Sequence, residues 1–458
     1  MIPERVGALV DEAAWLADAF HQAGHRLYLV GGVVRDAVLA RLGSTADLDF
    51  TTDARPEQIK ALVAGPADAV WTQGERFGTI GASRNGRRYE ITTHRAEAYS
   101  PDSRKPDVEF ASAVEADLAR RDFTVNAMAL RLPDLELVDP FGGLDDLAGG
   151  RLRTPLLPEE SFGDDPLRML RAARFVAALG LVPDPSVVSA MEAMHERLGI
   201  VSAERIRDEL DKLMVAERPG DGLRLLVATG LAGEFLPELP ALALEQDPIH
   251  RHKDVLAHSI AVVEKTSADR ILRLAALFHD VGKPKTRAFG PGGVSFHHHE
   301  VVGARMTRDR MKALRYPNED IVAVSRLVEL HLRFHTYQMG WTDSAIRRYV
   351  RDAGPWLDRL NELTRCDCTT RNEAKARALS RRMDELEAKI AELREREELA
   401  AIRPDLDGSQ IMEHLAIPAG RVVGEAREFL LELRLDEGPL GEAEARRRLD
   451  RWWAERSP

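Results

Sequence analysis

The sequence predicts an α+β protein, with a head of mixed strands and helices over residues 1–150 and a helical remainder. Three observations predict it. The segments "RLYLV", "DLDFTT", "FGTIGAS" and "RRYEITTHR" alternate apolar and polar residues at period two, with Gly, Asp and Asn between them. After "DPFGGLDDLAGGRL" (139–152) that alternation fades. Beyond it, "PLRMLRAARFVAAL" and "AERIRDELDKLM" space their apolar residues for one face of a helix.

At 458 residues the chain exceeds one ordinary core, so two to four domains are expected. A hydrophobic content of 44% and a charged content of 30% describe a folding chain rather than a disordered one. The net charge of −11 argues against a surface coated for nonspecific nucleic-acid binding. An RNA partner therefore has to be gripped by clustered arginines, with a steep salt dependence. The longest apolar runs, such as "LRLLVATGLAGEFL" (223–236), contain charge and glycine, so no membrane partner is expected. The N-terminus is acidic and amphipathic, unlike a secretory signal, and Cys366 and Cys368 are too few for a disulfide framework or a zinc knuckle. A cytoplasmic compartment is the expectation.

In the head, "LYLVGGVVRDAVL" places a strand, a double glycine and a helix before "GSTADLDFTT" (43–52). On a strand, Asp47 and Asp49 project from one face with Cα atoms roughly 7 Å apart. Carboxylates that close raise each other's pKa unless a cation neutralises them. Two divalent ions about 4 Å apart, bridging both carboxylates and a phosphate, suit phosphoryl transfer. Mg2+ is favoured, since it takes carboxylate and phosphate oxygens and keeps its remaining waters. Gly31 and Gly32 let backbone N–H groups approach a triphosphate, the following helix adds its positive end, and Arg35 lies within reach. A lone Asp-Leu-Asp would read as a solvated turn. Preceded within twenty residues by a strand, Gly-Gly and Arg-Asp, it reads as a metal site.

"LVGGVVRDAVLARLGSTADLDFTT" resembles the signature of the bacterial (class II) tRNA nucleotidyltransferases and poly(A) polymerases with an HD domain, within the DNA polymerase β superfamily. The likeness continues in order at "DLARRDFTVNAMAL" (117–130), "VDPFGGLDDL" (138–147), "FGDDPLRMLRAARF" (162–175) and "ERIRDEL" (204–210). It implies a polymerase β-like head followed by all-α neck, HD and tail domains. It also implies that Asp47 and Asp49 carry the metals, that Gly31, Gly32 and Arg35 hold phosphates, and that Arg121, Asp122 and Asn126 contact the nucleotide.

For the neck, residues 151–240, the spacing predicts Asp165 and Arg168 on one face of a helix, continued by Arg171 and Arg174. Asp165 can accept from the exocyclic amine of cytosine or adenine while Arg168 donates to the ring nitrogen. Uracil and guanine present the opposite order, and each buried group left unpaired costs roughly 1–3 kcal/mol. The resemblance implies a Glu-Asp-x-x-Arg element here for protein-templated base selection. Asp164 stands where the family shows Glu.

Residues 241–372 contain "HRHKDVLAHS", "LAALFHDVGK", "VSFHHHEVVGA", "VELHLRFH" and "RCDCTT", in which histidines on helical segments and His279-Asp280 suggest metal ligation. The stretch resembles the HD phosphohydrolase superfamily. That likeness implies His258, His279, Asp280 and Asp367 as ligands, with His299 and His331 available for a second ion. The ion is a divalent transition metal or Mg2+, and the choice among His297, His298 and His299 stays open. Relatives hydrolyse phosphomonoesters or 2′,3′-cyclic phosphates; a helical support for RNA is the alternative.

In the tail, 373–458, Met383, Leu386, Ile390 and Leu393 recur at three- and four-residue steps and predict one long exposed helix. "LDGSQIMEHLAIPAGRVVGEAREFLLEL" (406–433) resembles the family's C-terminal module, with Gly408, Pro418, Gly420 and Gly424 shaping a turn between helices. "EAEARRRLDRWWAERSP" predicts a last amphipathic helix with at least one of Trp452 and Trp453 packed on the body. Arginines there and along 371–395 are expected phosphate contacts to tRNA. The loop "AEAYSPDSRKPD" (96–107) is expected to move. The activity these readings imply is addition of C, C and A to tRNA 3′ ends from CTP and ATP. Alternatives are a poly(A) polymerase using ATP, or an HD phosphohydrolase with an RNA-binding head.

Overall fold

The computed structural model describes residues 2–41, 48–98, 107–244, 254–291, 293–336, 340–368, 372–397, 399 and 402–456. They fall into two compact units, Met1–Pro237 and Glu238–Pro458.

The first unit opens with α1 (Ile2–Gln22), β1 (Leu27–Val30), α2 (Gly32–Val38), β2 (Leu48–Thr52), α3 (Pro56–Val63) and β3 (Ala69–Trp71). It continues with β4 (Thr79–Arg84), β5 (Arg87–Thr93), β6 (Arg95–Ala98), β7 (Asp107–Phe110), α4 (Val114–Ala119), β8 (Ala129–Leu132) and β9 (Glu136–Val138). Seven strands join one sheet in the order β3-β4-β5-β2-β1-β8-β9, while β6 and β7 pair separately. Only β2 and β5 run parallel within that sheet. Period-two alternation sorts the faces. Leu27, Leu29, Phe50, Ile80, Tyr89 and Ile91 are buried on one side, where the Trp15 ring of α1 meets Tyr89 edge-on at 5.3 Å. On the other side α4 covers a corner through Val114 and Leu118, packed with Tyr28, Val30, Ala127 and Ala129. That leaves Asp49 and Glu90 exposed near the middle of the sheet.

Helices follow: α5 (Gly143–Gly149), α6 (Pro158–Asp164), α7 (Leu167–Leu179), α8 (Pro185–Met194), α9 (Ala203–Met214), α10 (Pro219–Ala228) and α11 (Leu231–Phe235). A short parallel pair, β10 (Arg151–Leu152) with β11 (Val182–Pro183), lies among them. The pivot is α7, which buries Leu167, Met169, Leu170, Phe175 and Val176 and packs against α9 and α10. Each such side chain contributes about 1.5–3 kcal/mol when fully buried. Pro166 starts this helix and a left-handed Gly180 ends it.

The second unit comprises α12 (Val255–Lys265), α13 (Arg270–Phe278), α14 (Lys283–Thr286), β12 (Arg287–Gly290), β13 (Gly293–Phe296), α15 (His299–Ala313) and α16 (Asn318–Leu330). Then come α17 (Asp343–Ala353), α18 (Leu357–Asp367), α19 (Glu373–Arg396), α20 (Gly408–Leu415), α21 (Arg421–Glu437) and α22 (Glu442–Ala454). The short antiparallel pair β12–β13 interrupts an otherwise helical unit. Met383, Leu386, Ile390 and Leu393 form the buried stripe of one long α19. Near the C-terminus, Leu406, Ile411, Val423, Ala426, Leu430, Ala445 and Leu449 make a small core, and Trp452 packs on it, stacked on Phe429 at 5.6 Å. Pro418 and Gly420 stand in the expected turn, whereas Gly408 opens α20 and Gly424 lies inside α21. Among the described residues no helix is long and apolar enough to cross a membrane.

Candidate active site

Asp49 sits on β2, exposed, one strand from Glu90 of β5 and in register with it. Partners across a ladder project from the same face, so two carboxylates stand side by side. Asp47 lies outside the described residues. Gly31, between β1 and α2, has φ 80° and ψ −143°, a conformation that L side chains rarely adopt. A Cβ there would stand 3.1 Å from Arg121 Nη1 and 4.0 Å from Asp49 Oδ2. The missing side chain is what lets a guanidinium and a carboxylate converge on this turn. At Gly32 a Cβ would meet Arg35 Nη2 at 3.4 Å. The following helix is only seven residues long, so its dipole adds little.

Arg121 is held from behind. Asp117 on α4 is fully buried and pairs with Arg120 at 2.8 Å and with Arg121 at 3.4 Å. Burial works against ionisation, yet Arg120 and Arg121 bring the Asp117 carboxyl down to about 2.

A second chain of contacts runs from the glycine turn into the helical half of the unit. Arg35 Nη1 donates to Asn126 Oδ1 at 2.7 Å, and Asn126 Nδ2 donates to Asp122 Oδ1 at 3.0 Å. Arg171 Nε donates to Asp122 Oδ2 at 2.9 Å, and a further arginine, Arg174, donates to the buried Glu209 of α9. Burial raises and Arg171 lowers the Asp122 carboxyl, which ends at about 2. Arg35, Asn126 and Asp122 are thus brought together, and they spend much of their hydrogen bonding on one another.

Arg120, Arg121, Asp122, Asp165, Arg168, Arg171 and Arg205 line an open recess of about 250 Å³. Asp165 and Arg168 both line it, though not from one helix face. Asp165 lies ahead of Pro166 in extended backbone (φ −139°, ψ 100°), and α7 begins only at Leu167. Its carboxylate accepts from Arg205 Nη2 at 2.7 Å. Arg168 is buried and donates to the Ser161 hydroxyl at 2.8 Å and to the Arg120 carbonyl at 2.6 Å. Arg171 reaches the recess; Arg174 does not, being turned to Glu209 instead. Glu90, Asp117, Arg205 and Glu209 escaped the sequence reading. The exposed alternate position of Glu90 in "RRYEITTHR" was the available signal.

The second unit holds another polar cluster. His258, His279 and Asp280 place ligand atoms within 4.8 Å of one another, and so do Asp280, His299 and His331. Asp367, at the end of α18, approaches His258 Nε2 at 2.9 Å and His279 Nε2 at 3.6 Å. Nδ1 of His279, His299 and His331 lies 2.7 Å from the carbonyls of Ala276, Phe296 and Val328 respectively. A carbonyl only accepts, so each Nδ1 carries a proton and each Nε2 is the nitrogen turned inward. Nε2 of His299 and Nε2 of His331 then face each other at 3.3 Å, an arrangement that a shared cation or proton satisfies. Of the three-histidine run only His299 is turned into the cluster; His298 is exposed at φ 60° and His297 is exposed. Against burial, Asp280 and Asp367 raise His279 to about 10, whereas burial and His279 push His331 down to about 3. A divalent ion bound here would take the place of the proton that the carboxylates otherwise keep on His279. Mixed imidazole and carboxylate donors fit such an ion here, and oxygen donors fit a hard cation at Asp49 and Glu90.

Three family profiles match: a poly A polymerase head domain over residues 27–153, the "Probable RNA and SrmB- binding site of polymerase A" over 180–242, and an HD domain over 255–396. The A-adding tRNA nucleotidyltransferase of Deinococcus radiodurans is 33% identical over 94% of this chain and 96% of its own length. The CCA-adding enzyme of Bacillus subtilis is 35% identical over 57% of this chain and 63% of its own length. The crystal structure of the Bacillus stearothermophilus CCA-adding enzyme with CTP superposes with a TM-score of 0.69 at 23% identity, covering 98% of each chain. The Thermotoga maritima CCA-adding enzyme complexed with tRNA gives 0.60 at 18% identity, covering 98% of this chain and 96% of that one. Both establish the fold.

Proposed function

This chain belongs to the bacterial family of tRNA nucleotidyltransferases and poly(A) polymerases, and from that premise we propose that it adds C, C and A to tRNA 3′ ends from CTP and ATP, releasing pyrophosphate. One observation carries the reading. Arg121 lines the recess that holds Asp165 and Arg168, and its guanidinium also stands beside Gly31 and Asp49. A base read in the recess therefore has its phosphates directed to the carboxylate face.

Asp47 and Asp49, with Glu90 alongside, would hold Mg2+, which supplies charge neutralisation and polarises the RNA 3′-hydroxyl. That hydroxyl attacks the α-phosphate; the new P–O bond forms as the bond to pyrophosphate breaks. Gly31 and Gly32 leave room for the triphosphate, and Arg121 meets its charge. Asp165 accepts from the exocyclic amine of cytosine or adenine. Arg168, anchored by Ser161 and the Arg120 carbonyl, offers its remaining N–H groups to the ring nitrogen. Positioning and electrostatics supply the catalysis, and no separate protein base is needed.

The remaining assignments are part of the same proposal. Residues 1–150 are the nucleotidyltransferase head, 151–240 the base-reading neck, 241–372 an HD domain holding Mg2+ or a divalent transition metal, and 373–458 a tail that grips tRNA in the cytoplasm. A second reading, addition of the terminal A alone, is favoured by the name of the full-length Deinococcus radiodurans relative. The test is incorporation into tRNA lacking its 3′ end, with each nucleotide supplied separately. CTP alone should give two additions and stop, with one A following. Extension only of tRNA already ending in CC establishes the second reading, and unlimited growth on ATP alone establishes a poly(A) polymerase.

A further inference from the structure

We propose that Trp71 is the stacking platform for the terminal nucleotide of the RNA being extended, an inference that rests on the reading above. The observation is a single row across four neighbouring strands. Trp71 of β3 is in register with Gly81 of β4, Gly81 with Glu90 of β5, and Glu90 with Asp49 of β2. Register partners project from one face, so the indole and the two carboxylates share the open side of the sheet. A Cβ on Gly81 would coincide with the Trp71 indole. The ring therefore lies across that glycine toward Glu90, and Gly81 is buried beneath it while Trp71 keeps part of its surface exposed. Two strand spacings of about 4.8 Å separate Gly81 from Asp49, so the ring stands roughly 10 Å from the carboxylate, the span of a single nucleotide.

The chemistry of the growing end selects the occupant. The 3′-hydroxyl has to reach the Asp49 face, and the base attached to the same ribose has no template strand to pair with. The recess at Asp165 and Arg168 is taken by the incoming nucleotide. The terminal base also changes identity at every addition. An aromatic face accepts any base, whereas a hydrogen-bonding pocket would accept one.

An indole over a glycine also steadies a sheet, so the test separates stacking from cover. In Trp71→Leu the apolar cover remains and the flat face is lost. Steady-state kinetics should show the KM for tRNA lacking its 3′ end raised about 5- to 150-fold, the range that loss of one base–aromatic stack gives. The KM values for CTP and ATP should stay within about twofold, and Trp71→Phe should restore most of the RNA affinity. An unchanged RNA KM, or nucleotide and RNA KM values rising together, overturns the platform. Should Trp71→Leu not fold, tryptophan emission decides: tRNA should quench wild type more than Trp71→Phe, and equal quenching overturns the proposal. Wild-type protein that extends no RNA defeats the underlying reading, whereas active wild type with an unchanged variant defeats the platform alone.

Discussion

Arg171 of α7 grips Asp122 through Nε at 2.9 Å across 49 residues of sequence, fastening α7 to the segment beside the glycine turn. The other oxygen of Asp122 accepts from Asn126 and from the Phe123 amide, and Asn126 in turn accepts from Arg35. One carboxylate thus ties together both ends of the proposed nucleotide site. Asp122→Asn should lower kcat/KM for CTP and ATP together, by more than about tenfold. Removing the nearer of the two carboxylates beside Arg171, with Glu209 remaining at 3.7 Å, should also cost on the order of 1–3 kcal/mol in urea unfolding. Full activity in that variant would remove Asp122 from the site.

Acid titration tests the same framework. Asp117 and Asp122 both sit at about 2 in the folded chain, below the ordinary carboxyl value near 3.9. A depressed folded pKa gives stability that is fully present above the unfolded value and is lost as pH falls through the folded one. Between about pH 4 and pH 2 each group should therefore surrender about 2–3 kcal/mol. Urea midpoints measured against pH should fall over that window, and an Asp117→Asn, Asp122→Asn pair should flatten the slope there. A slope confined to neutral pH would contradict the assignment.

Base choice gives a separate handle. Arg168→Ala should admit UTP and GTP while leaving binding of Mg2+ to the head unaltered. The side chain also braces Ser161 and the Arg120 carbonyl, so some general loss of rate should accompany the loss of selectivity. Competition between ATP and GTP for one tRNA acceptor reads the ratio directly. A variant that keeps the wild-type ratio defeats base reading by Arg168.

These sites differ in how far the sequence discloses them, and the reason is distance along the chain. Gly31 and Asp49 stand out as candidates because each residue type has a distinctive chemistry inside a short ordered stretch, whereas Arg121 is named only by the likeness to a known family. The proposed HD ligands are named by the likeness to a known family rather than by local chemistry, and of the histidine run His299 is the one turned inward by α15. Asp165 and Arg168 were misplaced on one helix face although "DDPLR" held the correction: a residue preceding proline is driven out of helical backbone. Glu90 could be seen as an exposed strand position, but its pairing with Asp49 depends on β2 and β5 lying parallel, which no local pattern encodes. The buried pair Arg347–Glu397, 50 residues apart, leaves no local trace at all.

The two metal clusters should separate by mutation. Asp49→Asn should abolish nucleotide addition, because a carboxylate that carries the metal has no substitute in an amide. His279→Ala should leave addition near wild type, as its cluster lies in the other unit. Incorporation of labelled ATP measures both. The reverse pattern would make the HD centre the principal enzyme and the head an accessory.

Metal content tests the second cluster directly. Asp280 belongs to both triads, with Oδ2 at 3.3 Å from His279 Nε2 and Oδ1 at 3.4 Å from His299 Nε2, which is the disposition of a bridging carboxylate. Purified protein loaded with Mn2+ or Ni2+ should therefore bind two ions in this unit. His331→Ala should keep about one, since only the triad with His299 is broken, and Asp280→Ala should keep none. Loss of the cation should also leave Nε2 of His299 and His331 facing each other, each ring fixed by its carbonyl contact, and so destabilise the cluster. Elemental analysis with isothermal titration gives the count, and differential scanning with and without chelator gives the stability. One ion in wild type, unaffected by His331→Ala, would reduce the cluster to a single site at His258, His279, Asp280 and Asp367.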